Sequence, residues 1–298
     1  MVRRTATAAS PGISASNDGI RRVLESSMRR LDGVRLRGAR SYGAHDIDAR
    51  DFGEWFKLAK NVRDPDQARN YLYYGFQPLY DSLIAGTFRD GRRQFAVRSL
   101  EGIIDASRVY LTGYYMGQPD IGLLREGMRR IEPDIGRLGK ETRYRTKFRN
   151  IDNNRIYPDS ILSFLRQFLE HAIDGKIKTP DYVIGCACGA SEIAMPLAGL
   201  LDTGVGFLRR SKRRSDTKVH VVQEQRPAIQ QKVQGKDVVC IEDYVCTSIS
   251  LGKVMEMTSS YNASSVLGAS VAFSSEGTYV RNIVNRPEFK LFVMGDRR

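Results

Sequence analysis

Histidine, tryptophan and cysteine are scarce here: three, one and four residues in a chain of 298. The cysteines, Cys186, Cys188, Cys240 and Cys246, form no CxxC pair and have no histidine near them in sequence. That spacing argues against a zinc site and against a disulfide framework. Small buried thiols in a reducing, cytoplasmic compartment are the expectation instead. No run approaches the roughly 18 to 20 uninterrupted apolar residues that a bilayer span needs, so no membrane partner is expected. An aromatic-plus-glycine RNA-binding signature, metal-finger spacing, internal repeats and long low-complexity tracts are also missing.

What is present is charge and a normal apolar fraction. The formal net charge is +13, and 41% of residues are hydrophobic, as in a soluble globular protein with one large or two modest domains. An excess of this sign draws either nucleic acid or a polyanionic small molecule through the same long-range field. Arg125 to Arg149 holds nine cations and four acids, enough for a basic helix face. Met1 to Arg30 carries six arginines and two acids. With no apolar periodicity from Thr5 to Asn17, residues 1–44 are expected to be a disordered or arm-like segment rather than a transit peptide.

From Asp51 to Gly175 the pattern is helical. Ala68 to Ala85 spaces Tyr71, Tyr74, Leu79 and Leu83 near the helical period, and Arg93 to Tyr115 does the same with Phe95, Leu100, Ile103, Ile104, Val109 and Leu111. Asp159 to Ile173 opens after Pro158, gathers Ile161, Leu162, Phe164, Leu165, Phe168 and Leu169 on one face, and stops at Gly175. Tyr71, Tyr73, Tyr74, Tyr80, Tyr114 and Tyr115 are aromatics at helical spacing, which belong to cores more often than to ligand pockets.

The chemistry-bearing stretch is Asp237 to Leu251. Val238-Val239-Cys240-Ile241 reads as a buried strand, Glu242-Asp243 as two carboxylates at its end, and Cys246-Thr247-Ser248-Ile249-Ser250 as a hydroxyl-rich loop opening a helix. Acids at the carboxyl edge of a parallel sheet, followed by backbone N–H groups at a helix start, describe a cradle for ribose and phosphate. A strand-to-helix junction capped by Thr or Ser is the plainer reading. Upstream, Asp181 to Ser191 reads as a strand and then a tight loop of small residues, with a helix from Ser191 to Leu201. Gly204 to Arg209 reads as the next strand and Lys218 to Val222 as a further short one. Between them Arg209 to Lys218 packs six cations against one acid.

Together these segments resemble the type I phosphoribosyltransferases, over about residues 180 to 275. Glu242 and Asp243 fit the acidic pair of the family's PRPP motif, and Tyr244-Val245 its apolar step. Ser248 departs from it, standing where the family usually has a glycine that lets phosphate approach the backbone closely. The resemblance implies that Glu242 and Asp243 hold the ribose hydroxyls and Mg²⁺, directly or through metal-bound water. It implies that Cys246, Thr247, Ser248, Ile249 and Ser250 hold the 5′-phosphate, and that Cys186, Ala187, Cys188 and Gly189 form the pyrophosphate loop. Lys212, Arg213 and Arg214 match a mobile cationic lid that neutralises departing pyrophosphate. Cys246 stands where 6-oxopurine enzymes of the family carry an Asp, which argues against hypoxanthine or guanine as acceptor.

The expected architecture is α/β: a three-layer core with a mostly parallel sheet over residues 176–298, preceded by a helical region over 45–175. Strands after the motif are expected at Ser265 to Phe273 and Phe289 to Met294. The expected function is transfer of ribose 5-phosphate from PRPP to an acceptor in nucleotide metabolism, with pyrophosphate released. The alternative is a PRPP-sensing or nucleic-acid-binding regulator on the same scaffold. Nucleic acid is the weaker partner candidate, and a homodimer is left open.

Overall fold

The computed structural model describes residues 17–36, 52–88, 91–138, 157–187, 189–210, 218–245, 249–273 and 289–293. Helices come first: α1 (Asn17–Leu31), α2 (Phe52–Asn61), α3 (Pro65–Ile84), α4 (Arg92–Tyr115), α5 (Ile121–Leu138) and α6 (Pro158–Ile173). Alternation follows: β1 (Tyr182–Ala187), α7 (Ser191–Leu200), β2 (Gly204–Arg209), α8 (Arg226–Val233), β3 (Asp237–Val245), α9 (Ile249–Ser260), β4 (Ser265–Phe273) and β5 (Phe289–Val293). The helices expected around 68–85, 93–115 and 159–173 and the strands expected at 204–209, 265–273 and 289–294 all appear within a few residues of their expected bounds.

Local chemistry sets several ends. Asp64 caps α3, its carboxylate accepting from the Gln67 N–H at 2.7 Å, with Pro65 in the first turn. Past the end of α6, Gly175 takes the left-handed conformation, φ 69°, and its N–H returns to Ala172 O. Trp55 of α2 donates its indole N–H to Tyr71 O at 2.8 Å, and its ring lies where a side chain on Gly75 would be. Truncating an aromatic packed like this costs about 3–5 kcal/mol. Tyr71, Tyr80, Tyr114 and Tyr115 are buried, so these aromatics serve the core.

The five strands are all parallel, in the order β2-β1-β3-β4-β5. All six residues of β1 are buried, as expected for a parallel strand covered on both faces. β1 pairs with β3 in the register Ile184↔Cys240 and Gly185↔Ile241, and β3 with β4 as Glu242↔Ser270. The chain leaves β1 for β2 on one side and leaves β3 for β4 on the other. The sheet therefore changes direction between β1 and β3, and in such sheets ligands bind in the crevice beyond the carboxyl ends of those two strands.

Three expectations change. Residues 17–31 are not an arm: Leu24 and Leu31 of α1 are buried, with Ile20 and Met28 packed beside them. Ser27 Oγ donates to Leu200 O at 2.7 Å, and Arg166 of α6 donates to Leu31 O and Val34 O at 2.5 and 2.9 Å. A narrow apolar stripe in an Arg-rich segment becomes a stable helix face only when other helices cover it. Residues 218–222 do not form a strand; His220 makes an isolated antiparallel bridge with Arg209. β3 also continues past its acids to Val245, because β4 goes on pairing through Tyr244↔Ala272 and Val245↔Phe273.

Candidate active site at the carboxyl edge of the sheet

Successive strand residues point to opposite faces, so the neighbours Glu242 and Asp243 diverge. Glu242 shares its face with Cys240, whose Sγ lies 3.3 Å from Thr258 Oγ1 of α9. The Glu242 carboxyl accepts from the Leu251 N–H in the first turn of α9. Its pKa is pushed up to about 8, first by loss of water and then by the Asp243 carboxylate; the Leu251 N–H and the Arg210 guanidinium pull it back. Asp243 faces the other way, toward Gly189. A Cβ built on Gly189 would overlap the Asp243 carboxylate. Thus one acid meets the start of α9 and the other the junction between β1 and α7.

That junction is built from buried small residues. Cys186 is buried, and its thiol pKa is driven well above the usual value by burial first and by Glu242, Cys240 and Asp243 next. Such a thiol is inert, which leaves only its backbone to serve a ligand. Its carbonyl already accepts from the Ala190 N–H at 3.3 Å. The Ala187 carbonyl accepts from Arg209 Nη1 at 3.0 Å. Gly189, with no side chain, leaves room for the Asp243 carboxylate of β3.

The structure brings Cys186, Ala187 and Gly189 together with Glu242 and Asp243. It places Ile249 and Ser250 in the first turn of α9 rather than in the preceding loop, half-buried and at a helix N-terminus. Cys188, Cys246, Thr247, Ser248, Lys212, Arg213 and Arg214 lie outside the described residues.

Two cations other than Lys212, Arg213 and Arg214 reach this edge of the sheet. Arg209, the last residue of β2, forms an ion pair with Asp81 of α3, Nε to Oδ1 at 2.8 Å. Arg210 is close enough to lower the Glu242 pKa, and its Nε and Nη1 are buried with no hydrogen-bond partner among the described residues. A cation with unspent donors beside a carboxylate is suited to an anionic oxygen. Their position at the end of β2 puts both at the carboxyl edge of the sheet.

The carboxylates suit Mg²⁺, a hard ion held by one or two protein oxygens together with substrate phosphates rather than by a protein cage. Among the described residues, no cluster of three or more His, Cys, Asp or Glu could hold a metal on its own. No helix among them is long and apolar enough to cross a membrane.

Residues 153–291 match the family model described as phosphoribosyl transferase domain. This segment, a little under half of the chain, is similar to phosphoribosyltransferase domains. The phosphoribosyltransferase match begins before α6 and runs into β5. No curated protein matches the chain. Among solved structures, a purine phosphoribosyltransferase from Pyrococcus horikoshii Ot3 is 20% identical, over 46% of this chain and 81% of that one, with a TM-score of 0.31. An orotate phosphoribosyltransferase from Aeropyrum pernix is 22% identical, over 45% of this chain and 66% of that one, with a TM-score of 0.32. A phosphoribosylpyrophosphate synthetase from Mycobacterium smegmatis is 15% identical, over 45% and 46% respectively, with a TM-score of 0.29. Likenesses this distant carry no argument; the similarity to phosphoribosyltransferases rests on the family match over residues 153–291.

Proposed function

We propose that the chain transfers the phosphoribosyl group of PRPP to an acceptor nucleophile. The C1–oxygen bond to pyrophosphate breaks, the oxygen keeps the electron pair, and the acceptor forms the new bond at C1 as it gives up a proton. The observation that carries this reading is the divergence of Glu242 and Asp243 at the switch point. Each carboxylate abuts one of two junctions suited to anions, the α9 start and the β1–α7 loop.

In this reading the ribose lies across the end of β3, with its 2′- and 3′-hydroxyls on Glu242 and Asp243. The 5′-phosphate lies at the N-terminus of α9, where Ile249 and Ser250 follow Cys246, Thr247 and Ser248. Pyrophosphate lies over the Cys186–Gly189 segment, where β1 ends, facing the Arg210 guanidinium. Lys212, Arg213 and Arg214 then supply further positive charge as it departs. Mg²⁺ bound with the substrate would offset charge on the pyrophosphate oxygens. Positioning and charge stabilisation account for most of the catalysis expected of such a site, since the leaving group is already good.

Titration of the purified chain with PRPP and Mg²⁺ in a calorimeter tests the proposal. The wild type should bind, and Asp243→Asn should weaken binding by about ten- to a hundred-fold, the range for losing a hydrogen bond to a charged group. Binding at wild-type strength by both Asp243→Asn and Glu242→Gln would show that ribose lies elsewhere.

A further inference from the structure

We infer that helix α3 is a positioning element for the β1–α7 junction, gripping it at both ends through two ion pairs. At the leading end, Asp81 of α3 holds Arg209, with Nε to Oδ1 at 2.8 Å and Nη2 to Oδ2 at 3.4 Å. The same guanidinium donates through Nη1 to the Ala187 carbonyl at 3.0 Å, so Asp81 fixes the cation that fixes the last residue of β1. At the trailing end, Arg69 of α3 donates through Nη1 to Glu192 Oε1 at 2.8 Å. Tyr115 of α4 donates its hydroxyl to the same oxygen. Glu192 is the second residue of α7.

Between these grips, Tyr80 of α3 donates its hydroxyl to Phe207 O of β2 at 2.5 Å. Arg69 and Asp81 are twelve positions apart on one helix (81 − 69), about 18 Å along its axis, so a single helix, with Pro78 within it, reaches both ends of the junction. Gly189 lies between the gripped ends, against Asp243. A small displacement of either end would therefore move Gly189 relative to that carboxylate.

The Arg69–Glu192 pair is buried and the Arg209–Asp81 pair partly so. The Arg69 and Glu192 side chains are 0% and 1% exposed, and those of Arg209 and Asp81 are 12% and 14% exposed. Buried pairs contribute little net stability compared with apolar residues of the same volume, but they tolerate few alternative geometries. Here that selectivity falls on the backbone assigned to pyrophosphate. The inference rests on that assignment and extends it. Arg69, Asp81 and Tyr115 all lie outside the matched phosphoribosyltransferase segment, so the helical half becomes a working part of the site.

The test uses the full chain carrying Asp81→Asn, with two measurements. Without ligand, hydrogen exchange of the peptide covering 185–192 should accelerate, while peptides of β3 and β4 remain as in wild type. Calorimetry should then show affinity for Mg²⁺-PRPP and for Mg²⁺-pyrophosphate falling about ten- to a hundred-fold, as for an ångström-scale misplacement, with ribose 5-phosphate affinity retained. Asp81→Glu should restore part of the loss. If Asp81→Asn fails to fold, Glu192→Gln keeps a hydrogen-bond acceptor, removes the charge at the other grip, and should give the same pattern.

Unchanged exchange over 185–192, or an equal loss of all three ligands, would overturn the positioning role. If the wild type binds neither PRPP nor pyrophosphate, the proposed function fails, yet the exchange measurement still decides whether α3 holds the junction.

Discussion

The carboxylate of Asp243 fills the space that a side chain on Gly189 would need. Fifty-four positions separate the two residues (243 − 189), and only the parallel pairing of β1 with β3 brings them together.

Gly189→Ala should therefore force either the junction or the carboxylate to move. The expected destabilisation is about 1–3 kcal/mol, as for an added methyl in a packed site. Mg²⁺-PRPP binding should be lost to calorimetry even though the variant folds, and a crystal structure should show Asp243 turned from its wild-type position. Normal PRPP affinity in a folded Gly189→Ala protein would remove this contact from the site.

Arg69→Met should be far more damaging than its remoteness from the sheet edge suggests. It strands the Glu192 carboxylate, which is 1% exposed, and breaking a buried pair from one side costs about 3–5 kcal/mol. The double variant R69M/E192L should recover most of that loss in urea denaturation, because no buried charge is left unmatched. If the single and double variants are equally unstable, the penalty comes from packing and not from charge.

Glu242 should make stability depend on pH. Its folded-state pKa of about 8 lies above the usual 4.5, so folding favours the protonated carboxyl. That contribution is fully present below the unfolded value, diminishes as the unfolded chain gives up its proton, and is gone once pH has risen through the folded value. In urea denaturation of the metal-free protein from about pH 5 to 9, the wild type should lose stability with rising pH relative to Glu242→Gln. Curves that stay parallel across this window would mean that the carboxyl is not held in its neutral form.

Most elements could be read directly from the chain, because each is encoded by residues a few positions apart. The apolar run Val238 to Ile241 needs a buried strand. Helix α6 is announced by Pro158, an apolar stripe and Gly175. The acidic pair and small-residue loop were legible as chemistry for the same reason, since their residue types and order are local. Arg209 and Arg210 were visible too, but in sequence their charge could not be told from that of the cations that follow them.

Tertiary structure alone decided which groups meet. Arg69 and Glu192 are 123 positions apart, and Asp81 and Arg209 are 128 apart. An arginine on a helix reads as surface until the opposing helix buries it. Glu242 and Asp243 face opposite ways because β3, paired with β4, runs on past them to Val245, and adjacent strand residues diverge. The strand order decided what each faces: with β1 and β4 on either side of β3, one acid reaches Gly189 and the other the start of α9. Periodicity is a local property of the chain, whereas strand order and helix docking are fixed by burying apolar faces far apart in sequence.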